Sequence, residues 1–169
     1  QLYGKGYSIY NAIVGTFGDD ILDRSGEIDR KKLGNLIFGD REGRLRLDRA
    51  THPIIEAEIQ RRIDAASQMG ESLVFVDSPL LIETGKRDRY DAVILVYAAA
   101  ELQIQRLMTR NSLSYDEALM RLQSQMPIED KKAYADFIID NNGEPEALEA
   151  QIECLLERLA ARPSDRKTD

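Results

Sequence analysis

Residues 73–77, Leu-Val-Phe-Val-Asp, form a short continuous apolar run, with Gly70 ahead of it and Ser78-Pro79 behind it. A run of this length is too short for a core helix and suits a strand buried on both faces. Two more runs of the same kind follow: AVILVY at 92–97 and DFIID at 136–140. Between them lies ELQIQRLMTR, which reads as a helix. Then comes Ser114-Tyr-Asp-Glu117, a capping-box pattern that opens a helix through Met126, with Pro127 stopping it. A long helix follows Asn141-Asn142-Gly143 at the C-terminal end. Buried runs alternating with helices predict an α/β fold with a parallel sheet, and ligands of such sheets sit beyond the carboxyl ends of the strands.

The half before Leu73 reads as helical. Ile9, Ile13 and Phe17 stand four apart ahead of Gly18, which fits a short helix over 8–17 closed by glycine. Asp29 suits the cap of a second helix carrying Leu33, Leu36 and Ile37. Pro53 suits the first turn of a third, with Ile55, Ile59 and Ile63 along one face. There is no repeat and no low-complexity segment, and only the terminal RPSDRKTD reads as a frayed tail.

The 169 residues suit one domain, and 43% apolar composition suffices for a substantial core. No apolar run approaches the roughly 20 residues of a membrane span, and QLYGKGYSIY has neither a basic nor a long apolar leader segment. The expected location is therefore the cytoplasm, with no membrane partner. Cys154 stands alone and reads as a packing residue of an amphipathic helix. A net charge of −7 argues against nucleic-acid binding. The charge is uneven, however: Arg30 to Arg62 holds nine Lys/Arg against five Asp/Glu. That stretch suits a polyanionic small molecule, or an ordinary solvated helix face.

Candidate chemistry gathers at the strand ends. Asp77 closes an apolar strand, where a carboxylate can hold magnesium directly or through water; a turn or cap role is the alternative. Arg106 and Arg110 are four apart on one helix side, and Arg121 and Gln125 repeat the spacing on the next helix. Guanidinium groups suit the charge that phosphoryl transfer spreads over oxygen, although exposed arginines are also routine on helices. His52, the only histidine, precedes Pro53 at the expected helix start, where the positive end favours a neutral imidazole. Capping or orienting a substrate fits it better than acting as a base. Gly4-Lys5-Gly6-Tyr7-Ser8 lacks the G-x-x-x-x-G-K-[ST] spacing, and no other stretch has it. No residues are assigned as a metal site.

The phrases THPII, FVDSPLLIETG, VYAAAELQIQRLMTRN, ALMRLQSQM and FIIDNNG, in this order, resemble the dephospho-coenzyme A kinase family from Phe17 through the C-terminal helix. The resemblance implies a three-layer parallel sheet of P-loop kinase type with helical substrate-binding and lid regions. It also implies that the first strand and phosphate loop of the family are absent here. By the same resemblance, the γ-phosphate of ATP, the co-substrate bound with Mg²⁺, passes to the ribose 3′-hydroxyl of dephospho-coenzyme A. Arg30 to about Gln68 become the coenzyme-binding helices, and Asn111 to about Lys132 the lid. His52, Asp77, Pro79, Leu80 and Glu83 line the substrate site, together with Leu81. Arg121 faces phosphate from the lid and Arg110 stands near its base. Arg106, Asn141 and Asn142 fall on the ATP side. A monomer or small homo-oligomer is expected, with weak or no activity for want of the phosphate loop. A coenzyme-binding module without catalysis and a kinase of another small metabolite remain the alternatives.

Overall fold

Ile9, Ile13 and Phe17 do share one helix, α1 (Ser8–Phe17). It ends at Gly18, whose φ of 80° allows its N–H to reach the Val14 carbonyl at 2.8 Å. The computed structural model describes residues 6–37 and 40–161; the expected tail at 162–169, with Gly4 and Lys5, lies outside them. The chain divides into two compact units, Gln1–Val76 and Asp77–Asp169.

In the first unit Ile9 and Ile21 are fully buried, and Ile13 nearly so. Phe17, Ile28, Leu33, Leu47, Ile54 and Ile55 pack around them. Full burial of such a side chain contributes about 1.5–3 kcal/mol. Asp29 opens α2 (Arg30–Ile37) as expected, its carboxylate accepting the Lys31 and Lys32 N–H groups at 2.9 and 3.1 Å. The third helix departs from expectation. Asp40 caps it by accepting the Glu42 N–H at 2.9 Å, so α3 runs Arg41–Gln68 and Pro53 lies inside it. A mid-helix proline removes one backbone hydrogen bond and costs about 3 kcal/mol or more. The helix continues because Leu47 on one side of Pro53, and Ile54 and Ile55 on the other, are held by the same core.

The second unit contains β1 (Ile94–Tyr97) and β2 (Phe137–Asp140), paired in parallel from Ile94 opposite Phe137 to Tyr97 opposite Asp140. A parallel pair needs a long crossover. Here it is α4 (Ala100–Asn111), α5 (Tyr115–Gln123) and α6 (Ile128–Lys131). The expected capping box is present: Ser114 and Glu117 exchange side-chain and backbone hydrogen bonds at the start of α5. That helix stops at Gln123 rather than Met126, because the Met126 N–H turns instead to the Glu83 carboxylate at 3.1 Å. The last helix, α7 (Pro145–Ala160), lays Leu155, Leu148 and Leu159 against Phe137 and Ile139. Leu155 takes its buried face, so Cys154 is exposed, contrary to the packing role read for it.

The third expected strand does not form. Residues 73–78 carry neither helix nor strand, and Phe75 is 59% exposed. A strand exists only through its ladder, and among the described residues no other strand pairs with LVFVD. The sheet is two-stranded: Leu95 and Ile138 share one face and Val96 and Ile139 the other, with Leu95 and Ile139 buried and Ile138 and Val96 about half exposed. Among the described residues the three-layer sheet is thus reduced to one parallel pair and its helices.

Candidate active site

The carboxyl ends of β1 and β2 meet in a knot of hydrogen bonds. The Asn141 N–H donates to the Tyr97 carbonyl at 2.7 Å. The Asn142 backbone and side-chain N–H groups both reach Asp140 Oδ1, at 2.9 and 2.6 Å, and its Oδ1 accepts from the Ala99 N–H at 2.8 Å. Arg106 on α4 donates to the Asn141 carbonyl at 2.9 Å. Arg106, Asn141 and Asn142 are therefore brought together. Arg110, one turn further along, donates instead to its neighbour Asn111 at 3.1 Å. Arg121 is exposed on α5, one turn after the fully buried Ala118 that seats the helix.

Downstream of exposed Asp77, Pro79 to Gly85 coil into successive turns, in which Thr84 N–H donates to the Leu80 carbonyl and Gly85 closes with φ 66°. Half-buried Glu83 faces out of this turn toward the other end of the crossover. Its Oε1 receives the Lys131 ammonium at 2.7 Å as well as the Met126 N–H. Burial pushes the Glu83 carboxyl up, but hydrogen bonds from Lys131 and from backbone N–H groups outweigh it, holding the group below its ordinary 4.5. A carboxyl lowered on folding adds stability that is fully present above its unfolded value and is lost as pH falls through the folded one. The melting-temperature advantage of wild type over Glu83→Gln is thus expected to be constant above about pH 5 and to shrink below it. Parallel melting curves from neutral pH down to about pH 3 would contradict the pairing.

A second cluster had no signal in the sequence beyond the position of Tyr97 at a strand end. The Tyr97 hydroxyl donates to Glu129 Oε1 at 2.6 Å, and Lys132 meets Glu129 Oε2 at 2.7 Å while standing 3.8 Å over the Tyr97 ring. The hydrogen bond to Glu129 raises the phenol, and those from Lys132 and Tyr97 lower the Glu129 carboxyl.

His52 belongs to the first unit. Because α3 begins at Arg41, His52 sits in mid-helix rather than at a positive end, and the capping role read for it falls away. Its Nε2 lies 3.5 Å from Asp48 Oδ1 one turn earlier. Among the described residues no group of three His, Cys, Asp or Glu side chains could enclose a metal ion, and no helix is long and apolar enough to cross a membrane. A cavity of about 330 Å³ lies between β2 and α7, lined by Phe137, Ile138, Cys154, Leu155 and Arg158. Its lining is mostly apolar and its one arginine stacks on the Phe137 ring, so it offers little to a phosphate.

The family model described as CoaE: Dephospho-CoA kinase matches residues 1–146, a span that includes every candidate residue from His52 to Asn142. The chain belongs to the dephospho-CoA kinase family. The dephospho-CoA kinase of Carboxydothermus hydrogenoformans is 41% identical over 153 residues, covering 90% of this chain and 74% of the relative. That of Geobacter sulfurreducens is 45% identical over 148 residues, 88% of this chain and 75% of the relative. Among solved structures, TT1252 from Thermus thermophilus superposes with a TM-score of 0.74 at 31% identity, over 89% of this chain and 76% of that one. Dephospho-CoA kinase from Campylobacter jejuni gives 0.55 at 30% identity, over 89% and 77%. A dephospho-CoA kinase is a phosphotransferase using ATP as co-substrate, and the fold of these structural relatives is that of P-loop kinases.

Proposed function

We propose that the protein transfers the γ-phosphoryl group of ATP to the ribose 3′-hydroxyl of dephospho-coenzyme A, the last step of coenzyme A biosynthesis. The observation that carries this reading is the family match across residues 1–146. The basic stretch from Arg30 to about Gln68 faces the polyanionic coenzyme, with His52 orienting it. Asp77, Pro79, Leu80 and Glu83 line the acceptor side. The loop of Asn141 and Asn142, braced by Arg106, takes the adenine side of ATP. Asn111 to about Lys132 acts as the lid: Arg121 meets the transferred phosphoryl group and Arg110 supports it from the base.

Mg²⁺ fits this donor set in one limited way. Such ions are held chiefly by substrate phosphates and water, with one or two carboxylates. Exposed Asp77 supplies one hard oxygen just ahead of the Pro79–Gly85 turns. Bound there with ATP, the ion would neutralise phosphate charge. The chain's own work is to orient the acceptor hydroxyl, exclude water beneath the lid and deliver the fixed charge of Arg121. We place the enzyme in the cytoplasm as a monomer or small homo-oligomer.

The test is ATP-dependent appearance of coenzyme A when full-length enzyme is given dephospho-coenzyme A. Phosphorylation of another small alcohol in its place would favour a kinase of a different metabolite on the same scaffold.

A further inference from the structure

We infer that Lys131 is a positioning residue for phosphoryl transfer, acting through Glu83 to hold the turn after Asp77 against the root of the lid. The inference rests on the kinase reading above and adds a residue that reading leaves unused.

Lys131 is 7% exposed, and lysine is almost never buried so fully unless paired. Its ammonium has three protons and three acceptors: Glu83 Oε1 at 2.7 Å, and the Pro79 carbonyl and Gln125 Oε1, both at 3.4 Å. One charge thus gathers two points of the 77–85 turn and one point of the lid. Glu83 reciprocates by accepting the Met126 N–H, which is the contact that stops α5 short. Its other oxygen, Oε2, is buried with no hydrogen-bond partner. A buried ion pair with an unsatisfied oxygen is a poor stabilising device, and apolar residues of similar volume often serve stability as well or better. The arrangement makes sense as a means of fixing geometry.

What it fixes is α6. Lys131 ties this short helix to the turn after Asp77, while Glu129 within it and the adjoining Lys132 tie the segment to Tyr97 at the carboxyl end of β1. The root of the lid is therefore pinned at two points, the turn after Asp77 and the carboxyl end of β1, and α5 with Arg121 joins it through residues 124–127. The separation between the Asp77 turn and the lid is set at Lys131. Misplacement of about 1 Å can cost a phosphotransferase on the order of a hundredfold in rate.

Steady-state kinetics of the full-length enzyme decide the matter for wild type, K131M, E83Q and the double variant. K131M is expected to lower kcat about ten- to a hundredfold while KM for ATP and for dephospho-coenzyme A stays within about threefold. The double variant is expected to fall no further than the worse single one, since both act through one contact. E83Q keeps the volume and an acceptor oxygen, so it carries the test if K131M does not fold, with an expected loss of about tenfold in kcat. Losses that multiply in the double variant, a change confined to KM, or a shift in melting temperature with kcat intact would each overturn the inference. Wild type unable to make coenzyme A would instead overturn the kinase reading.

Discussion

Replacing Arg121 with alanine is expected to lower kcat of the full-length enzyme by about a thousandfold and to leave its melting temperature where it was. The second half of that expectation comes from the seat of α5. Fully buried Ala118 and half-buried Leu119 and Leu122 hold the helix, while Arg121 projects to solvent. Its charge helps to lower the Glu117 carboxyl, but less than the Ser114 hydrogen bonds do. Exposed pairs of this kind are worth under about 1 kcal/mol. In the closed complex the same guanidinium would stand in a water-excluded site facing negative charge on the transferred phosphoryl group, where a fixed cation is worth far more than in water. A variant with normal turnover, or one that melts early, would show that Arg121 is not the lid arginine.

Asp77→Asn is expected to cost about a hundredfold in kcat/KM. Amide for carboxylate removes a negative charge without changing size. Exposed just ahead of the Pro79–Gly85 turns, the carboxylate is the residue suited to holding Mg²⁺ or its waters. The loss should ease as Mg²⁺ is raised to several times its usual saturating level. A loss that ignores Mg²⁺ would mean Asp77 orients the acceptor instead, and an unchanged rate would remove it from the site.

What the sequence made legible was local chemistry. Gly18, Asp29 and the Ser114/Glu117 box announce their helix ends, because a cap is a contact between residues two to four apart. AVILVY and DFIID were readable as strands because each finds the other as its neighbour. LVFVD has the same composition yet no partner strand among the described residues, so its apolar side chains lie open. The α3 helix start was misread because Pro53 is a strong local signal, whereas the core holding both sides of it is not local. That error carried His52 with it. At the site, Arg106 with Asn141 and Asn142 was foreseeable only through the family's phrases, since their contact joins a helix to a distant loop. Lys131 and the Tyr97 cluster were missed for a related reason. DKK in a charged segment reads as solvated surface, and nothing along the chain shows that one of its lysines turns inward to meet Glu83.

The most direct test of the account is to locate the phosphate that the enzyme transfers. Full-length enzyme would be incubated with MgATP and dephospho-coenzyme A, and the product examined by phosphorus NMR and mass spectrometry, with other small alcohols tried in parallel. The account predicts a new monoester at the ribose 3′-oxygen, one ADP formed per coenzyme A, and no comparable product from the other acceptors. Phosphate on another position or another acceptor, or ATP consumed without a phosphorylated acceptor, would contradict it.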